Sequence, residues 1–258
     1  MKGINLLLVI LTFPFIQGCA TEYNYITGKV DTIIYSPERE VELGLKIAKR
    51  FEDEFPVIKD TNLQDKVTRF GNRIIKVCDR PDVPYSFKVV DMPVPNALSL
   101  PGGRVYISKK LIELLNYDNK LIVAVLAHEV AHIVLKHHIK KLQASYVSSL
   151  AMMGAIASRD RKALSAVNLA LNSLFSAYSQ DDEFSADRLA IVYLQRVGLS
   201  GEEMAESLEV LEKETRYGRI TPVSYFRTHP FLSARIARAR ALAKDKPLSD
   251  FIDYINRE

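Results

Sequence analysis

His128, Glu129 and His132 stand inside an otherwise apolar run, Leu121 to Leu135, that reads LIVAVLAHEVAHIVL. A run of this length and composition is expected to be a buried helix. Burying a polar group there without a partner costs roughly 2–7 kcal/mol, so the three need one another or a ligand. Four residues turn an α-helix through about 400°, which puts His128 and His132 on nearly one face, one turn apart. Two imidazoles so placed can reach one metal ion. Glu129, about 100° further round, can lie beside that ion rather than on it. A carboxylate there can take a proton from water and later hand it to a leaving amine, so H-E-x-x-H on a helix points to metal-assisted hydrolysis of a peptide bond. A hydrogen-bonded polar cluster in the core is the competing account of the trio.

Catalytic zinc usually takes three protein ligands, with a fourth position for water. The third ligand must come from elsewhere in the chain. Asp181, Asp182, Glu183 and Asp187, on a helix expected from Gln180 to Val197 and closed by Gly198, are the candidates. If the central helix continues past Leu135, His137 and His138 turn about 180° and 280° away from His128 and belong to its solvated end.

These residues carry a resemblance to a known family. His128-Glu129-x-x-His132 followed by Glu183-Phe184-Ser185-Ala186-Asp187 resembles the gluzincin metallopeptidases that include the CAAX prenyl endopeptidase, the HtpX membrane protease and the periplasmic BepA-like peptidases. The resemblance implies Glu183 as the third zinc ligand and Asp187 as the acceptor that orients a ligand imidazole. Asn96-Ala97 with Pro101-Gly102-Gly103 resembles the family's strand beside the cleft, where an extended substrate is held; an ordinary hairpin is the alternative. Thr228-His229-Pro230 and Arg235 resemble a further family segment, whose histidine helps to stabilise the oxyanion. His229 could instead occupy the open metal position and hold a latent state. Arg235 is expected to be a pairing partner near the site rather than a catalytic group. The match runs from about Ser36 to Lys244.

The elements that must position these residues are legible in outline. Ser36-Pro37-Glu38 starts a helix that Pro56 ends, and Asn62 to Cys78 reads as a second amphipathic helix. Alternation over Tyr85–Val90, Ala97–Leu100 and Val105–Ile107, with the Pro101-Gly102-Gly103 turn, predicts a small antiparallel sheet. A short helix over Ser108–Leu115 precedes the central helix, which Asp118 caps. Two helices between Gln143 and Tyr178 carry too many polar residues for easy membrane spans; they are expected to pack over the site, with dipping into a membrane as the alternative. Helices from Glu202 to Tyr217 and around Arg235, Arg238 and Arg240 complete an α+β, mainly helical, zincin-like domain.

The 258 residues and 48% hydrophobic content suffice for one sizeable core, and no internal repeat or interior linker divides it. The 35 Lys and Arg are interspersed with 31 Asp and Glu, which gives no stripe for nucleic acid. Met1-Lys2, the apolar Ile4–Ile16 and Gly18-Cys19 have the form of a bacterial lipoprotein signal, with a plain signal peptide as the alternative. The expected organisation is a signal over 1–18, a tether over 19–36 and one metallopeptidase domain over 37–258. Cys19 would carry the lipid, and Ala20 after it favours a periplasm-facing outer-membrane location. Cys78, the only other cysteine, reads as a buried core thiol rather than an intermolecular bridge or ligand. These features lead to a lipid-anchored, zinc-dependent endopeptidase acting on unfolded or misassembled envelope proteins, with a chaperone-like, proteolytically latent binding module as the alternative.

Overall fold

A computed structural model describes residues 20–24, 28–33, 35–153, 172–173, 176–217 and 225–244. The expected signal, Cys19 and much of the Gln143–Tyr178 segment lie outside them.

Helix α1 (Pro37–Glu54) begins where Ser36 accepts from the Arg39 amide, and α2 (Thr61–Ile75) where Asp60 accepts from Leu63. Each cap satisfies an amide that the first helical turn leaves unbonded. Helix α2 buries Leu63, Val67, Gly71 and Ile74, one face at helical spacing. Ahead of α1, β1 (Ala20–Asn24) and β2 (Lys29–Ile33) pair as an antiparallel hairpin, with Gly28 in a left-handed conformation before β2.

The main sheet is β3 (Ser86–Val90), β4 (Ala97–Leu100) and β5 (Arg104–Ser108), in the order β3-β5-β4. Strands β4 and β5 form the expected hairpin about Pro101-Gly102-Gly103, with Gly102 and Gly103 at φ of 70° and 89°. Strand β3, however, lies parallel to β5, so the sheet is mixed rather than antiparallel throughout. The connection through 91–96 crosses over the end of β5, where Val89 and Ala97 both pair with Ile107, so β4 starts at the edge where β3 stops and lies on the opposite side of β5. Gly44 of α1 meets this turn so closely that a Cβ there would lie 1.8 Å from the Pro101 carbonyl oxygen.

After the short α3 (Lys109–Leu114), Asp118 caps α4 (Asn119–Val134) by accepting from Lys120 and Leu121. Every residue from Ile122 to Ile133 is buried, as expected of a helix apolar on all sides. Around it pack α2, strand β4, α6 (Gln180–Arg196) and α7 (Glu202–Tyr217). Lys136, at φ 55°, breaks the chain, and α5 (His137–Met153) leaves at 54° to α4. No single described helix is long and apolar enough to cross a membrane. The short α8 (Tyr225–Thr228) and α9 (Leu232–Lys244) close the far side of the core against α6 and α7. The mainly helical α+β class follows directly: one small sheet beside one central helix, ringed by others.

Candidate metal centre

Four side chains from three parts of the chain converge. Helix α4 contributes His128 and His132, α6 contributes Glu183, and the segment after α8 contributes His229; one ligand atom from each lies within 4.8 Å of all the others. The two Nε2 atoms of His128 and His132 are 3.0 Å apart. Glu183 Oε2 is 3.5 Å from His128 Nε2, and Oε1 is 3.6 Å from His132 Nε2. His229 Nδ1 approaches His128 Nε2 at 3.3 Å and Glu183 Oε1 at 3.0 Å. All four residues are buried.

The supporting contacts decide which nitrogens face inward. Asp187, one turn beyond Glu183, sits 2.9 Å from His128 Nδ1, so the proton of that ring belongs on Nδ1 and the Nε2 lone pair faces the cluster. The His132 Nδ1 is 2.8 Å from His137 Nδ1, so one ring donates to the other, and where His132 is the donor its Nε2 is the bare nitrogen facing the cluster. Tyr178 stacks on the His132 ring at 4.1 Å, and its amide donates to the Thr228 carbonyl, which joins this cover to the His229 segment. Arg235 grips Asp187 with Nε and Nη2 at 2.8 and 2.7 Å and reaches Glu183 Oε2 with Nη1 at 2.5 Å.

Burial works against the charge on Glu183, but Arg235 and the His229 ring outweigh it and hold the carboxyl well below its ordinary 4.5. Burial likewise opposes ionisation of Asp187, which Arg235 keeps below 3.8. Burial, followed by the neighbouring imidazoles, drives His132 well below 6.5 and preserves its lone pair. Two ring nitrogens 3.0 Å apart beside an ionised carboxylate are held together by a proton shared between them or by a cation among them. Against burial and Arg235, Asp187 and Glu183 raise His128 to about 9. The donor set of two or three imidazoles and one carboxylate is that of a catalytic zinc site, so the residues fit the ion.

Glu129 faces the other side of the cluster. Its Oε2 accepts from Ser99 Oγ of β4 at 2.8 Å, while Oε1 has no hydrogen-bond partner among the described residues and lies 3.4 Å from His229 Nε2. Of the acids near the start of α6, Asp182 is occupied in a reciprocal cap with Ser179 and only Glu183 enters the cluster. Asn96 is tied through both backbone groups to Ser108, and Ala97 opens β4 beside α4. Cys78 is buried in the main core.

His137 and His138 depart from expectation. Both are buried, at 2% and 0% exposure, because the chain breaks at Lys136 and the new helix turns them back toward the site. His137 supports His132, and His138 Nε2 lies 2.9 Å from Ser99 Oγ. Tyr178, Ser99 and Tyr225, which stacks on His229 at 4.4 Å, also went unsingled in the sequence. Tyr225 at four residues before His229 is the one such signal that helical spacing offers.

Comparison with known proteins agrees with this architecture. The chain belongs to peptidase family M48, whose family profile matches residues 61–243. Among its relatives are the beta-barrel assembly-enhancing protease of Yersinia pestis, 25% identical over 85% of this chain and 48% of that protein, and the metalloprotease YcaL of Escherichia coli, 26% identical over 82% and 87%. The mitochondrial metalloendopeptidase OMA1 of Schizosaccharomyces pombe is 28% identical over 67% of this chain and 50% of that protein. The chain thus spans about half the length of the beta-barrel assembly-enhancing proteases that it matches.

Proposed function

We propose that this chain is a zinc-dependent endopeptidase of unfolded or misassembled cell-envelope proteins, held at the bacterial outer membrane on its periplasmic side by a lipid on Cys19. The observation that carries the reading is the convergence of His128, His132 and Glu183, with Glu129 beside them. Membership of a peptidase family supports the reaction, and relatives named for assembly of β-barrels support the substrate class. Residues 1–18 would be the signal, 19–36 the segment that leads from the lipid, and 37–258 the peptidase domain.

His128, His132 and Glu183 would hold the zinc, which supplies Lewis-acid polarisation of the scissile carbonyl and of water. Glu129 Oε1 takes the proton of the attacking water and delivers it to the departing amide nitrogen. Asp187 holds the His128 ring with its Nδ1 proton outward, and Arg235 holds Asp187 and Glu183 ionised. Asn96 and Ala97 anchor the β4 end against which an extended substrate would lie.

His229 favours a latent resting state. It lies among the ligands, at hydrogen-bond distance from Glu183, where a fourth ligand would sit. Swung away, the same side chain could donate to the oxyanion. This also favours a second reading, a binding module that seldom cleaves. His229→Ala separates the two roles: a rise in cleavage supports the plug, a loss supports the oxyanion role. The mature chain loaded with one zinc should cleave denatured casein, lose that activity to a chelator and regain it with zinc. Glu129→Gln should abolish cleavage with zinc retained. Cellular function that survives Glu129→Gln would favour the binding module instead.

A further inference from the structure

Resting on the proposed role of Glu129, we infer that Ser99 and His138 are positioning residues of this site, forming a fixed hydrogen-bond chain that dedicates one carboxylate oxygen of Glu129 to catalysis. The three side chains come from β4, α5 and α4, and all are buried, at 2%, 0% and 0% exposure. Ser99 Oγ is 2.8 Å from Glu129 Oε2 and 2.9 Å from His138 Nε2.

Counting protons fixes the direction of the chain. An ionised carboxylate only accepts, so the single hydroxyl hydrogen of Ser99 goes to Glu129. The Ser99 oxygen must then accept from His138, which places the His138 proton on Nε2. That leaves Nδ1 as a bare acceptor, and Nδ1 indeed has no hydrogen-bond partner among the described residues. The chain therefore runs His138 Nε2–H to Ser99 Oγ–H to Glu129 Oε2. With Oε2 engaged, the carboxylate cannot turn about its axis without breaking a buried bond, and Oε1 stays directed at the cluster. Ser99 also belongs to β4, beside which substrate is proposed to lie, so the strand that would seat the substrate directly sets the base.

The chain makes His138→Gln and His138→Asn unequal. A glutamine amide can present its N–H near the Nε2 position, whereas the shorter asparagine reaches only the Nδ1 position and offers Ser99 nothing. Cleavage of a denatured substrate by the zinc-loaded mature chain should show a kcat lowered by about tenfold or more in Ser99→Ala and His138→Asn, with KM and zinc content unchanged. His138→Gln should recover most of the kcat. Equal kcat in Ser99→Ala and the parent, or equal impairment in the two His138 variants, would overturn the inference. A second readout needs no activity: in protein labelled with 15N at histidine, His138 should be neutral with its proton on Nε2, and Ser99→Ala should shift that resonance. A proton on Nδ1 would overturn the chain even if the protein cleaved nothing. A parent that fails to cleave while His138 shows the Nε2–H form would count against the peptidase reading alone.

Discussion

Arg235 is the largest fully buried side chain among the described residues, and its charge is answered by Asp187 and Glu183. Removing one member of such a group leaves the others as uncompensated charges, so Arg235→Ala should destabilise the chain by roughly 3–5 kcal/mol, measured by urea unfolding. Asp187→Asn keeps the shape but weakens the acceptor for His128 Nδ1, and zinc affinity should fall by about 10–100-fold in a competition titration with a chromogenic chelator. The convergence of these residues was legible in part, because H-E-x-x-H puts two imidazoles on one helix face and Glu183 and Asp187 lie one turn apart. Glu183 could be chosen among the downstream acids only by resemblance. Its neighbour Asp182 is equally acidic, and what separates the two is the Ser179 cap that engages Asp182.

At the level of elements, the helices over 37–54, 61–75, 119–134, 180–196 and 202–217 follow the expected spans closely, because caps, prolines and apolar spacing mark them locally. Three features were hidden. The break at Lys136 involves no glycine or proline, so nothing in Leu135-Lys136-His137 announced that the two histidines would turn inward. The parallel pairing of β3 with β5 depends on where a loop returns the chain, which no local pattern records. The hairpin over 20–33 had only Gly28 to mark its turn. The contact between α1 and the β4–β5 turn gives a sharp test: Gly44→Ala would drive a methyl into the Pro101 carbonyl, prise the helix from the turn and lower stability by about 1–3 kcal/mol in thermal unfolding.

For the whole molecule, the site makes stability depend on pH. Burial, followed by neighbouring cations, holds His138 well below 6.5, so the unfolded chain binds a proton there that the folded chain refuses. The resulting stabilisation is complete above about pH 6.5 and is lost as pH falls toward the lower folded value. Asp187 and Glu183 act with the same sign at more acid pH, where their depressed carboxyls must finally be protonated. His132 acts with the same sign as His138. Against burial and Arg235, Asp187 and Glu183 hold His128 up at about 9, so it acts oppositely only above about pH 6.5. The melting temperature should therefore fall as pH drops from about 6.5 to 5.5, and His138→Gln should flatten part of that fall. A parent and variant with parallel profiles would show that His138 titrates freely. The central claim is that one ion joins α4 to α6. Anomalous diffraction at the zinc edge, on crystals of the zinc-loaded chain, tests it most directly. A single peak about 2.0–2.2 Å from His128 Nε2, His132 Nε2 and a Glu183 carboxylate oxygen is the predicted result; no peak there, or a zinc held without Glu183, would contradict it.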